Sequence, residues 1–428
     1  MNRRLALGSL VGTCLVSACS RESRELPSID MDRDWFNHGP SLALVGDADG
    51  DGLPDLALGE PFAGGLLASR SGRVSIIGSR SWSALFTIDP GEHRSLFGWC
   101  LCPLGPEGKA KSLAVGRPGL IASGRPGRVD LVSIPERKIV ASCAGDAPGD
   151  QFGYALAPCD SETSFLASAP NNWFSEATTG AIYRVAVAES GMTRKVEARA
   201  PADSVPRDGF GCNLLWLGDA EFAAPAAERE FRTSVFRVGQ DEPVTVFPGT
   251  GGSGYAYSMD VLHLQTGLPL LVIGSSGDQS NPITVCDSHG VNQLQFSVEE
   301  QGANGGISVL WIGDVDGDGS RDFAVGAPGD QLAMELWSGQ SIYPWGRDKD
   351  SRTGAVYVVS SSSMKVIGRI EDTSAGSAFG VSMCRTFDVD HDGCDEIVVG
   401  CGSPTSDVCA WIVSVKKLKL LQAVKRPG

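Results

Sequence analysis

Residues Ile312 to Asp330 read IGDVDGDGSRDFAVGAPGD, and the reading of this stretch decides the fold. Asp314, Asp316 and Asp318 alternate, Gly319 and Ser320 follow, and Asp322 completes the set. Carboxylates at loop positions 1, 3, 5 and 9, with the backbone carbonyl of position 7 (Ser320) between them, make an oxygen cage suited to calcium. Gly at position 6 supplies the positive φ that folds such a loop back on itself. An EF-hand would need a bidentate Glu at position 12 and a helix on each side. Position 12 is Val325, and the flanks SVLWIG and FAVGAP read as short apolar strands. The stretch therefore predicts a calcium loop inside a β-hairpin.

The loop recurs twice. Asp47, Asp49, Asp51, Gly52, Leu53 and Asp55 form one copy, followed by LALGEP; Asp388, Asp390, Asp392, Gly393, Cys394 and Glu396 form the other, followed by IVVGCGSP. Position 12 is Leu58 or Val399, so neither is an EF-hand. A single copy could be a solvated acidic turn, but three copies at one spacing argue against chance.

A longer period contains these loops. A leading Gly lies twenty positions before a trailing Gly in each acidic copy (Gly39 to Gly59, Gly306 to Gly326, Gly380 to Gly400). Gly254 to Gly274 repeats the spacing with Leu262, Leu264, Thr266 and Leu270 in the carboxylate places. Three degenerate copies run from Phe97-Gly98 to Gly116-Arg117-Pro118, from Phe152-Gly153 to Ser168-Ala169-Pro170, and from Phe210-Gly211 to Ala223-Ala224-Pro225. In the first of these Lys109 and Lys111 would repel a cation. Third strands are expected at 73–77, 128–133, 181–187, 234–238, 283–286, 355–359 and 409–415, with fourth strands such as 84–88, 244–247 and 418–424. Seven units of four short strands, without helical periodicity, predict an all-β, seven-bladed β-propeller over 37–428. Radial closure hides most sheet edges.

The pattern Phe-Gly, Asp-x-Asp-x-Asp-Gly-x-x-Asp, Gly-Ala-Pro resembles the FG-GAP repeats of the integrin α-subunit propeller and its bacterial lipoprotein relatives. The resemblance runs from about Trp35 to the C-terminus and is sharpest in units one, six and seven. It implies calcium, about three ions, in the loops joining strands one and two, and a ligand-binding surface on the opposite face. Four units lack the ligands, Glu396 replaces Asp at position 9, and neither an inserted adhesion domain nor an integrin stalk follows.

The chain begins with Arg3 and Arg4 before the apolar run LALGSLVGTCLV, too short to span a bilayer and suited to a signal peptide over 1–18. Val16-Ser17-Ala18-Cys19 resembles a bacterial lipobox, which would make Cys19 a lipidated N-terminus. The alternative is ordinary cleavage near Ala18. Residues 19–36 are polar and read as a tether. The expected localisation is the cell envelope, lipid-anchored at an outer membrane or the cell surface.

Loss of Arg3 and Arg4 takes the formal net charge from −15 to −17. Such a chain repels phosphate backbones, so nucleic acid is not an expected partner, nor is anionic lipid as an electrostatic one. His38, His93, His263, His289 and His391 are scattered, and HExxH, G-x-S-x-G and CxxC are absent. The expected role is a binding, adhesion or interaction scaffold with a protein or glycan ligand; the alternative is an extracellular enzyme such as a polysaccharide lyase or hydrolase.

Of the cysteines, Cys100, Cys102, Cys212 and Cys384 fall near first strands and read as buried thiols. Cys401 and Cys409 have a spacing that could close a disulfide. Unit six inserts QLAMELWSGQSIYPWGRDKDSRT between strands two and three. Trp337, Tyr343 and Trp345 there, with Trp173 and Phe174 in the matching loop of unit three, are candidates for the ligand face. The alternative is a satellite core under the insertion.

Overall fold

The computed structural model describes residues 40–63, 71–119, 124–159, 161–170, 180–201, 209–226, 231–249, 256–275, 283–291, 293–297, 305–328, 354–374, 377–402 and 406–427. They form seven four-stranded antiparallel sheets, each made of four consecutive strands. The blades span 41–88, 101–144, 156–199, 215–248, 258–296, 308–371 and 383–425. First strands touch their neighbours in turn around the ring, and the first strand of blade seven (Met383–Arg385) meets that of blade one (Ser41–Leu44). The chain is a seven-bladed β-propeller. The expected third strands all form, within two residues at either end; the last, for instance, is Val408–Ser414.

The core lies between blades, one apolar layer at each of the seven interfaces. This explains the Phe-Gly pair. Phe97, Phe152, Phe210 and Phe379 are each fully buried, and each belongs to the layer shared with the preceding blade. The glycine after each Phe has positive φ (Gly98 89°, Gly153 86°, Gly211 80°, Gly380 94°), as does Gly306 (97°). Its N–H bonds its own blade, as in Gly98 to the Gly116 carbonyl (3.2 Å) and Gly380 to the Gly400 carbonyl (3.2 Å). At Gly98, Gly153, Gly306 and Gly380 its carbonyl lies on the trailing glycine of the preceding blade. A Cβ on Gly326 would lie 2.0 Å from the Gly380 oxygen, and one on Gly59 2.5 Å from the Gly98 oxygen. Where both glycines are present they form a docking surface between backbones; Gly211 of blade four meets Ser168 instead.

Unit five corrects the sequence reading. Gly254 lies outside the described residues, and Ser258 pairs with Gly274 where Ser41 pairs with Gly59. Ala256, buried with φ of 53°, therefore holds the leading place, and the twenty-residue spacing there was a coincidence. Its strand-one-to-two loop, 263–269, is shorter than 45–55, 312–322 or 386–396.

Cys401 and Cys409 are unbridged thiols. Their backbones meet (Cys401 N–H to Cys409 carbonyl, 2.8 Å), but a bulge between Val408 and Ala410 carries Cys409 to the blade-seven/blade-one layer. Cys401 packs in the blade-six/blade-seven layer instead. Of the four first-strand cysteines only Cys102 is fully buried; Cys100, Cys212 and Cys384 are half-buried.

Candidate metal centres

The three acidic loops share one hydrogen-bond scheme. The position-1 carboxylate accepts from the loop's own amides: Asp47 from Gly50 (2.6 Å) and Gly52 (2.8 Å), Asp314 from Gly317 (2.7 Å) and Gly319 (2.8 Å), Asp388 from Asp392 and Gly393 (each 3.0 Å). The position-6 glycines have the expected positive φ: Gly52 87°, Gly319 90°, Gly393 87°. The position-9 side chain is buried and reaches back to position 2. Asp55 accepts from Ala48 (2.8 Å), Asp322 from Val315 (2.8 Å), and Glu396 from Val389. Asp55 and Asp322 also accept from Ser79 (2.9 Å) and Ser361 (3.2 Å), in the turns between strands three and four. Position 9 therefore fastens two connections on one end of a blade.

This scheme brings carboxylates together. Asp47, Asp49 and Asp55 converge, as do Asp314, Asp316 and Asp322, and Asp388, Asp390, Asp392 and Glu396; within each group one oxygen per residue lies within 4.8 Å of the others. Asp51 and Asp318, expected to join, turn aside instead. Asp51 pairs with Arg80 (3.1 Å) and Asp318 accepts from the Ser362 hydroxyl. At position 7, Leu53, Ser320 and Cys394 donate their N–H to the position-5 carboxylate (2.9, 2.7 and 3.0 Å), which fixes the residues whose carbonyls were expected as ligands.

Electrostatics divides the groups. The Gly52 N–H holds Asp47 below its ordinary value, and the Ser362 hydroxyl does the same for Asp318. Burial pushes Asp55 and Asp322 up, and pushes Glu396 up to about 7. Glu396 is 1% exposed, and its Oε1 has no hydrogen-bond partner among the described residues while three aspartates converge on it. A buried acceptor without a donor, among like charges, fits a divalent cation. The donors are carboxylate oxygens, which suits a hard ion. The Cys394 thiol stands outside this set and donates to the Asp314 carbonyl of the neighbouring loop (3.8 Å).

The other blades close the same connection without such a cluster among the described residues. In blade two Lys109 and Lys111 do stand in the loop, and Gly46 donates to the Ala110 carbonyl (2.9 Å), so that it packs on loop one by backbone. Blade four turns through Asp219 and Ala220, both with positive φ (49° and 63°).

Two features had no signal in the linear motifs. Arg385, on the first strand of blade seven, pairs with Asp260 of blade five (3.6 Å) and Glu107 of blade two (3.4 Å) and donates to the Trp311 carbonyl of blade six (3.4 Å). It ties four blades together, at residues far apart in sequence. The second is a hydroxyl ladder. Ser41, Ser258 and Ser308 each donate to the leading backbone carbonyl of the next blade, at Gly98 (2.7 Å), Gly306 (3.1 Å) and Gly380 (2.6 Å), and Ser382 donates to the carbonyl of Pro40 (2.6 Å), one residue past the leading place of blade one. Cys100 takes the same role toward Gly153 (3.2 Å). His263 lies on the strand-one-to-two loop of blade five, His289 stands 3.6 Å from Glu221, and His391 lies on loop seven. Cys19, His38, Trp173, Phe174, Trp337, Tyr343 and Trp345 lie outside the described residues.

Residues 38–77 match the family model of the FG-GAP repeat. They cover loop one and reach into the third strand of blade one. No curated protein matches the chain. The repeat and the seven-bladed ring together are consistent with an integrin α-like propeller.

Proposed function

We propose that this FG-GAP propeller is an exported, lipid-anchored scaffold, stabilised by calcium, that binds a protein or glycan partner at the cell envelope. One observation carries the calcium reading: the same carboxylate cluster, held by the same hydrogen bonds, stands in three loops. Those loops belong to blades six, seven and one, which are consecutive around the ring. Bound calcium would supply the positive charge that offsets repulsion within each cluster. The chain's own part is to hold the acceptors in place before the ion arrives. Position 1 bonds the loop amides, and position 9 fastens the loop below it.

With one end of the blades committed to ions, the connections between strands two and three are left for recognition. The insertion with Trp337, Tyr343 and Trp345, which lies outside the described residues, falls in sequence between strands two and three of blade six and is the ligand site proposed here, since a few aromatic anchors supply most of the energy in many interfaces. The test is retrieval of partners with the anchored chain from its own envelope, before and after replacing the three aromatics with Ala. The expected result is loss of partner with calcium-dependent melting intact. Retention of every partner would overturn this placement of the ligand face, and turnover of a substrate would favour the enzyme reading. The anchor is tested separately. Cys19→Ala should release the protein from membranes or block its processing, and an unmodified N-terminus by mass spectrometry would overturn it.

A further inference from the structure

The three acidic loops differ in what leans on them from the turn between strands three and four. That turn is 79–82 in blade one, 361–364 in blade six and 415–418 in blade seven, and each ends in a residue of positive φ (Trp82 51°, Met364 52°, Leu418 52°). The frames match, so the side chains can be compared place by place. The third place is Ser81, Ser363 and Lys417.

The Lys417 ammonium lies 2.7 Å from Asp390 Oδ1 and 3.4 Å from Asp392 Oδ2. Lys416 donates to the Asp392 backbone carbonyl (2.8 Å). In blades one and six the side chains of the turn reach only the position-5 carboxylate, which they draw out of the cluster, while the backbone amides of Ser79 and Ser361 hold position 9. In blade seven it grips positions 3 and 5 together, and both stay in the cluster. A positive charge already sits on oxygens that a divalent ion would need.

We infer that Lys417 is a resident counter-cation, which keeps the blade-seven loop assembled without an ion and makes it the weakest of the three calcium sites. The inference rests on the calcium reading above. An ammonium donates but cannot act as a ligand, so calcium must displace it before taking Asp390 and Asp392. Loops one and six carry no such competitor and fill first. The placement has a structural use. Blade seven borders the seam where the ring closes, with Ser382 bonded to the Pro40 carbonyl and Arg426 paired with Glu60 (2.9 Å). A loop that carries its own cation keeps that border ordered when calcium is scarce.

Native mass spectrometry of the full chain across a calcium titration counts ions directly. Two ions should bind first and a third at roughly tenfold higher calcium, a gap of about 1.4 kcal/mol. Asp390→Asn should remove the late step, and Asp316→Asn one of the early ones. Lys417→Ser, the residue blades one and six carry at that place, should bring the third step down to the first two. Three ions in one step, or a late step that Lys417→Ser leaves unmoved, would overturn the inference while leaving the calcium reading standing. No ion bound at any concentration would overturn that reading itself. Amine acetylation of the unaltered protein gives an answer that does not depend on a variant folding. Saturating calcium should raise labelling of Lys417 several-fold, with the exposed Lys419 and Lys425 unchanged. Equal labelling with and without calcium would overturn the displacement.

Discussion

Blades five and six are neighbours that make the same turn in opposite ways. Blade six spends the longer loop 312–322 on converging carboxylates, and the loop's amides are turned inward to hold them. Blade five uses 263–269, with no carboxylate in it, and fastens it when Ser288 donates to the Pro269 carbonyl (2.8 Å). One turn concentrates like charge that a bound cation would offset; the other is closed by backbone hydrogen bonds. The charged kind gathers on the arc of blades six, seven and one. That arc contains the seam, and no strand is exchanged across it, because each blade takes four consecutive strands. The acidic loops are therefore placed where the chain must close the ring by side contacts.

The comparison predicts where the molecule gives way. Calcium bound only by the native state stabilises it by about 2.7 kcal/mol per site at a hundredfold excess over Kd. Chelation should lower the melting temperature by the combined effect of the filled loops. Hydrogen exchange in chelator should rise first in blades one and six, later in blade seven, whose loop carries Lys417, and last in blades three and four. An unchanged melting curve would break the distinction between the two kinds of turn. Next in size is Gly326→Ala, expected to cost about 3 kcal/mol, because the new methyl must push the Gly380 carbonyl away. Gly313→Ala, in the same blade but facing open space, should stay within about 0.5 kcal/mol. Equal effects at the two positions would mean that the glycine contact between blades carries no weight.

A smaller effect is expected from single ligands. Asp316→Ala should remove at most one loop's share, about 2.7 kcal/mol. Leu264→Ala, on the exposed blade-five loop, should change stability by less than about 0.5 kcal/mol. Denaturation in calcium and in chelator distinguishes them: the Asp316 loss should vanish in chelator. A loss that persists there would make Asp316 a structural residue of the loop and not an ion ligand.

The sequence shows the propeller because its determinants are local and repeated. Strand alternation, Gly-Ala-Pro turns and acidic loops recur within single units, and a period can be seen without knowing what touches what. The leading place of blade five was misread for a related reason. Gly254 has the right spacing to Gly274, but the pairing of Ser258 with Gly274 puts Ala256 there, and a glycine-rich segment offers several false starts. What stayed hidden was long-range. Arg385 meets Asp260, Glu107 and Trp311 only because first strands face one axis, and no spacing rule links those residues. Likewise, the departure of Asp51 and Asp318 from their clusters is set by Arg80 and Ser362, in turns far from the loops in sequence.

The smallest predicted effect sharpens the comparison between loops one and seven. Arg80 is a cation beside an acidic loop, as Lys417 is, so charge alone would make them equivalent. Their geometry differs. Arg80 is 69% exposed and touches Asp51, which lies outside the converging group, whereas Lys417, 39% exposed, touches Asp390 and Asp392, which lie inside it. An exposed ion pair contributes about 0 to 1 kcal/mol, and its loss leaves the ligand oxygens where they were. Arg80→Ala should therefore change stability by less than about 0.5 kcal/mol. It should shift the calcium midpoint of loop one by less than about threefold, against roughly tenfold for Lys417→Ser at loop seven. Raising the ionic strength to about 1 M should erase the small Arg80 effect, since exposed charges are screened over about 3 Å there. If Arg80→Ala tightens loop one as much as Lys417→Ser tightens loop seven, proximity of a charge suffices, and which carboxylate it touches is irrelevant.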